Sequence, residues 1–274
     1  MKKVLSIQDI SCVGKCSLTV ALPIISSMGV ECQILPTSLL STHTAFKSYS
    51  FLDLTDEMDV ILNQFEVNGF SFDAIYSGYL GSIKQIDTLI NIIEKYKTKD
   101  NYVVCDPVMG DYGKLYKGFD VKFAKKMLTL CQKADIIIPN MTEACYMLDY
   151  PYKENMTKED IETIMSLFKE KGVKGILLTG VSFESGKLGF ALMEDETIQY
   201  HFNDYIDAKF HGSGDIFAST FVGGIMNGLS MFEAAKVASI FVCESLMCTL
   251  KEENHNTYGL NFEQAIPYLI KNIK

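Results

Sequence analysis

The chain has 274 residues, a formal net charge of −9 and a hydrophobic content of 48%, enough for one α/β domain with a full core. The acidic balance excludes a nucleic-acid backbone or an anionic membrane as the main partner, because both need clustered Lys and Arg, and small molecules fit better. Eight cysteines, several inside apolar patterns, read as reduced thiols, and Gln8 and Asp9 break the first apolar run before a signal core develops, so a cytoplasmic protein is expected.

Short β-type runs alternate with helical patterns, the mark of a mostly parallel sheet covered by helices. Expected strands are residues 4–8, 32–35, 74–77, 102–105, 135–138 and 175–179, and the runs 188–193 and 198–202 read as an edge hairpin. A helical pattern covers residues 54–65. Ser82 and Gln85 form a capping-box signature ahead of Ile83, Ile86, Leu89, Ile90 and Ile93 on one face. Thr157 opens a helix that Gly172 ends. Residues 215–227 are apolar on nearly all sides and predict a buried central helix. No repeat, linker or composition break divides the chain, so residues 1–274 are expected to form a single domain.

In open parallel sheets ligands bind beyond the carboxyl ends of strands. Asp9 is expected just after strand one, residues 78–81 after strand three, Asp106 and residues 107–111 after strand four, Pro139, Asn140 and Glu143 after strand five, and Gly180 after strand six. The most informative stretch is Gly212, Ser213, Gly214, Asp215. Two glycines let main-chain N–H groups converge on phosphate oxygens at a helix N-terminus, and a carboxylate one residue on can accept the proton of an attacking alcohol. A plain helix cap by Ser213 or Asp215 is the alternative. Cys12 and Cys16 match no common zinc spacing, and residues 14–16 lack the upstream glycine and the hydroxyl of a Walker loop.

Taken together, these segments resemble the pyridoxal kinases of the ribokinase-like superfamily. The matching pieces are residues 41–44 (STHT), 77–82 (SGYLGS), 105–110 (CDPVMG), 139–143 (PNMTE) and 212–215 (GSGD), in family order over most of the chain. The resemblance implies a three-layer αβα sandwich with a mostly parallel central sheet, a homodimer, and ATP-dependent phosphorylation of the hydroxymethyl group of a B6 vitamer. Asp215 would be the base, with Gly212, Ser213 and Gly214 forming the anion hole. Asp106 and Glu143 would act near Mg²⁺ and the nucleotide phosphates, although Asp106 before Pro107 also fits a turn, and Asn140 with Glu143 also fits a capping box. Thr179 would contact ATP phosphates or else be a strand residue with a satisfied hydroxyl. Lys209, Phe210 and His211 match the nucleotide-lining loop by position, His211 as a loop histidine rather than a catalytic one.

For the acceptor, Tyr79 and Thr44 match positions near the pyridine ring; Tyr79 could instead plug the end of the sheet. His43 reads as a structural loop residue, and residues 111–118 as a flap. The resemblance leaves a requirement for a monovalent cation, with K⁺ the candidate, open. Many pyridoxal kinases carry Ser-His after the first strand, whereas Gln8 and Asp9 here are similar to the Gln-Asp pair of hydroxymethylpyrimidine kinases, which typically place Cys where Asp215 stands. Asp9 would hydrogen-bond a ring hydroxyl or an amine. A ribokinase-like sugar kinase, which usually carries an inserted β-lid, and a non-catalytic vitamer-binding protein are weaker alternatives.

Overall fold

The alternation of β-runs and amphipathic helices is realised in the structure, a computed structural model that describes every residue except Lys209 and Lys274. In chain order the elements are β1 (Lys3–Val13), α1 (Leu18–Ser27), β2 (Glu31–Thr42), β3 (Phe51–Asp53), α2 (Thr55–Val67), β4 (Ala74–Ser77), α3 (Ile83–Tyr96) and β5 (Tyr102–Cys105). There follow β6 (Gly110–Asp111), β7 (Lys114–Leu115), α4 (Val121–Cys131), β8 (Ile136–Ile137), α5 (Met141–Leu148), α6 (Lys158–Glu170) and β9 (Gly175–Val181). The chain closes with β10 (Lys187–Glu194), β11 (Thr197–Asp204), α7 (Ser213–Met226), α8 (Met231–Leu250) and α9 (Phe262–Asn272). The chain divides into two compact units, residues 1–81 with 206–274, and residues 82–205.

In the first unit the strand order is β4-β1-β2-β3, with β1 parallel to both β4 and β2. Val4, Leu5 and Ile7 of β1 have no exposed surface, as expected of a parallel strand covered on both faces. The strand nevertheless outruns its apolar core. It continues through buried Gln8, Asp9 and Ser11, so Asp9 lies inside the strand rather than after it. β2 likewise runs beyond the expected residues 32–35 and turns back into β3, an exposed antiparallel edge strand that no apolar alternation announces.

The second unit has the order β11-β10-β9-β8-β5, parallel from β5 to β9 and antiparallel through the expected edge hairpin β10–β11. Gly180 is not past the end of β9 but inside it, at the register shift where Val181 faces Gly189 and Thr179 faces Phe190. The expected flap at residues 111–118 contains the small hairpin β6–β7, whose Gly113 N–H donates to Thr142 Oγ1 at 2.8 Å and whose Gly113 carbonyl accepts from Tyr146 Oη at 3.3 Å, both on α5. Ser82 and Thr157 cap their helices as expected, with Ser82 accepting from the Gln85 amide and Thr157 completing a capping box with Asp160.

The element that positions the site is α7. Every residue from Ile216 to Met226 is buried, so the helix is wrapped rather than laid on a surface. α1 can approach because residue 223 is glycine: a Cβ there would run into the sulfur of Met28. Val20, Ile24, Met28, Ile216, Phe241, Leu260, Phe262 and Leu269 belong to one apolar cluster from α1 and its end, α7, α8, α9 and the segment leading into α9. Among the described residues no helix is long and apolar enough to cross a membrane. Phe241 has no exposed surface, so Phe241→Ala should lower unfolding free energy in urea by about 3–5 kcal/mol; a loss below about 1 kcal/mol would show that α8 does not brace this cluster.

Candidate active site

In the first unit, Asp9, Ser11, Cys16, Ser17 and Asp215 form one cluster. Asp9 occupies the irregularity in the β1–β2 ladder, where Gln8 faces Pro36 and Ile10 faces Leu39. One residue of β1 is thus opposed by two of β2, a bulge that re-aims the local side chain. Asp9 is 5% exposed. Its carboxylate accepts from Ser11 Oγ at 3.2 Å, and the nearby Ser17 side chain also favours its charged form. Burial nonetheless holds its pKa above the usual range, outweighing these hydrogen bonds.

Asp215 stands in the first turn of α7. Gly212 is the N-cap, with φ +83°, and no side chain caps this helix end among the described residues. The cap alternative for Ser213 and Asp215 is therefore not realised, and the first turn of α7 has no side-chain cap. Glycine is required at 212 because a Cβ would collide with the Lys15 carbonyl oxygen. Asp215 is partly exposed, while its carboxyl group is surrounded by protein and its pKa is pushed up to about 7, first by burial and then by the charge of Asp9. The nearby Ser17 main-chain N–H favours the charged form and acts in the opposite direction.

Ser17 thus serves both carboxylates, one through its amide and one through its hydroxyl. It does so with φ +50° and ψ −131°, a positive φ that non-glycine residues rarely adopt. Cys16 faces the same pair, and its thiol is pushed far above the ordinary value by burial and by the charges of Asp215 and Asp9, so it is a protonated spacer rather than a nucleophile. Ser11 and Ser17 were not singled out in the sequence, and Cys16 was weighed only as a zinc ligand and in a Walker-loop comparison. Their only signal is the run of small and hydroxyl residues that follows the apolar part of the first strand.

Tyr79 is partly buried near Asp9, and its phenol is raised to about 12 by burial, then by the charges of Asp9 and Tyr49. Thr44 lies exposed in a turn, and no described hydrogen bond joins it to the carboxylate pair. His43 is structural as expected: it is 8% exposed, its Nε2 is 3.2 Å from the Tyr258 carbonyl oxygen, and its ring lies 4.9 Å from that of His211. Phe210 packs on the α8–α9 core cluster and meets the His255 ring at 5.4 Å. Lys209 lies outside the described residues.

In the second unit, Asp106 is 6% and Glu143 3% exposed. Asn140 and Glu143 form the expected capping box, with Glu143 Oε2 accepting from the Asn140 amide at 2.9 Å and Asn140 Oδ1 accepting from the Glu143 amide at 3.0 Å. The other oxygen, Oε1, accepts from the Met109 amide at 3.0 Å, and Gly110 also donates to the group. Burial pushes this carboxyl up to about 8 despite those donors. Both oxygens are therefore already engaged, Oε1 in holding the Met109 turn to α5 and Oε2 in capping α5 itself. Thr179 sits within β9, its hydroxyl donating to the Pro139 carbonyl at 3.3 Å and its amide to the same oxygen at 2.9 Å, which is the satisfied-hydroxyl alternative. Among the described residues no group of three or more His, Cys, Asp or Glu could hold a metal by itself.

The model of the phosphomethylpyrimidine kinase family matches residues 24–259. A candidate phosphomethylpyrimidine kinase from Bacteroides thetaiotaomicron VPI-5482, in an orthorhombic crystal form with pyridoxal, is 38% identical, with a TM-score of 0.93 over 98% of this chain and 95% of that one. The pyridoxal kinase of Lactobacillus plantarum is 27% identical with a TM-score of 0.91, covering 99% of this chain and 97% of the other. In sequence, the pyridoxal kinase of Dictyostelium discoideum is 26% identical over 93% of this chain and 87% of its own length. The mostly parallel α/β, ribokinase-like class expected from the sequence is the fold of this chain.

Because the Asp215 carboxyl rises from 3.8 unfolded to about 7 folded, the stability it allows is present in full below about pH 4 and lost as pH rises through about 7. Asp215→Asn should accordingly melt above wild type at pH 8, with the gap closing by pH 4. A gap that stays constant across that range would show that the carboxyl is not strained by its site.

Proposed function

Since the chain belongs to the phosphomethylpyrimidine kinase family, we propose that it is an ATP-dependent pyridoxal kinase, transferring the γ-phosphoryl group to the hydroxymethyl group of pyridoxal, pyridoxine or pyridoxamine. The observation that carries this reading is Asp215 at the uncapped head of α7, a partly exposed residue whose carboxyl group burial pushes up to about 7. A general base works best with a pKa near the operating pH.

In this mechanism the acceptor hydroxyl gives its proton to Asp215 as its oxygen bonds to the γ-phosphorus. The bond from that phosphorus to the bridging oxygen breaks, and ADP leaves. The amides of Gly212, Ser213 and Gly214, at the head of α7, supply oriented donors for the negative charge on the transferring group. Asp9 and Tyr79 contribute to the acceptor side, the carboxylate for a ring hydroxyl or an amine and the aromatic face for the heterocycle. Thr44 completes the acceptor set and Phe210, His211 and Lys209 the nucleotide set, by resemblance alone.

Asp106, Glu143 and Thr179 are assigned to the nucleotide phosphates. Mg²⁺ bound with ATP would neutralise phosphate charge, and it favours few protein oxygens with retained waters. Asp106 suits it directly; Glu143, whose oxygens already accept main-chain amides, suits it through water. A monovalent cation such as K⁺ belongs to the same proposal. The family match runs through sequence of both compact units, which supports one kinase domain over residues 1–274. The free cysteines support a reducing, cytoplasmic setting, and the homodimer rests on resemblance.

A second reading, hydroxymethylpyrimidine as acceptor, is favoured by Gln8 and Asp9 in β1 and by the family description itself. Specificity constants with MgATP for the three B6 vitamers and hydroxymethylpyrimidine decide between them: a vitamer should lead, and a pyrimidine preference would replace the proposal. Asp215→Asn should slow turnover about 10²–10⁴-fold with nucleotide binding retained, whereas a wild-type rate would remove Asp215 from the mechanism.

A further inference from the structure

The segment joining β1 to α1 reaches Asp215 through Ser17, and what holds that segment is Lys15. The Lys15 ammonium donates to Asn261 Oδ1 at 3.0 Å and to Glu263 Oε2 at 2.8 Å, and lies 5.7 Å from the centroid of the Phe262 ring. These partners are themselves fixed. Asn261 is 7% exposed and its amide donates to Thr249 Oγ1 in the last turn of α8 at 2.7 Å; Phe262 is in the core cluster. The Lys15 main chain is clamped as well. Its N–H donates to the Tyr258 carbonyl at 3.2 Å, and its carbonyl oxygen occupies the space that a side chain at 212 would need.

Two residues later comes Ser17 at positive φ, a conformation that persists only when its surroundings over-determine it. Resting on the assignment of Asp215 as base, we propose that Lys15 is a positioning residue for the reaction: its anchor on Asn261 and Glu263 keeps the segment that carries Ser17 packed against the head of α7, where Asp215 stands. A lysine beside an anion hole would ordinarily be assigned to phosphate. Here the ammonium is engaged by Asn261 and Glu263 instead, and the half-exposed Glu263 pair adds little stability of its own. The effect of Lys15 is therefore directional rather than energetic.

Among the described residues, the titratable groups facing Asp215 are Asp9 from β1 and Cys16 from the β1–α1 segment. Neither is touched by changes at Lys15 or Glu263, and comparing Lys15→Met with Lys15→Arg and Glu263→Gln tells the placing of the Ser17 segment from the loss of a charge. The Ser17 amide favours the charged carboxylate, and losing it raises the pKa of the base. The acid limb of the kcat profile then moves to higher pH.

The test is the pH dependence of kcat at saturating MgATP and pyridoxal for wild type, Lys15→Met, Lys15→Arg, Glu263→Gln and Asp215→Asn. Lys15→Met should move the acid limb up by about half a pH unit or more, with the KM for ATP within about twofold of wild type. Lys15→Arg, which can fork onto both partners, should restore the limb. Glu263→Gln, a milder change that keeps the fold, should move it in the same upward direction. This last variant separates geometry from charge, because removing a negative charge alone would move the limb down. A limb unmoved in Lys15→Met, a downward shift in Glu263→Gln, or a raised KM for ATP with an unmoved limb would each overturn the proposal. Asp215→Asn turning over at the wild-type rate with the wild-type limb would instead remove the base itself, a separate failure.

Discussion

Two carboxyl groups in one cluster, Asp9 and Asp215, face each other across a single serine, and the rest of the first unit is arranged to tolerate them. Like charges this close disfavour joint ionisation, and burial disfavours either alone. What offsets these penalties is a short set of donors: the Ser11 hydroxyl, and the hydroxyl and amide of Ser17. Apolar packing elsewhere carries the remaining cost, which is why α7, whose first turn bears Asp215, is buried along its whole later length. A site that strains its own base needs a platform that does not move.

The strain is also local. Ser17 holds a backbone conformation better suited to glycine, yet glycine would lack the hydroxyl that favours the charged form of Asp9. Gly212, by contrast, has to be glycine, because its positive φ and the Lys15 carbonyl both exclude a side chain. The two residues divide the work: one presents donors to the carboxylates, while the other lets the head of α7 approach the segment that carries those donors. Chemistry and close packing are thus met by the same few residues.

How much of this was legible in the sequence depends on range. Local signals read well. Residues 74–77 and 102–105 are strands at the expected limits, Thr157 and Ser82 cap their helices, and the long apolar run after Asp215 is a wrapped helix. The G-S-G-D stretch could be picked out because glycines beside a carboxylate leave a compositional trace. Signals that depend on pairing did not read. The bulge that places Asp9 inside β1 is set by its register with β2, and β3 exists only because β2 is there to pair with. The roles of Ser17 and Lys15 come from contacts with residues some 200 to 250 positions away, beyond any periodicity. Glu143 shows the intermediate case: its capping box was visible as Asn140 and Glu143, but not the Met109 amide that completes its environment.

The measurement that bears most directly on this picture is a ¹³C NMR titration of the Asp215 side-chain carboxyl, in wild type and in Asp9→Asn. The account predicts a midpoint of about 7 in wild type and a lower one in Asp9→Asn, since the neighbouring charge is gone while the Ser17 amide remains. A midpoint near 4 in wild type, unchanged by Asp9→Asn, would mean that the two carboxyl groups do not sense each other, and the account would fail.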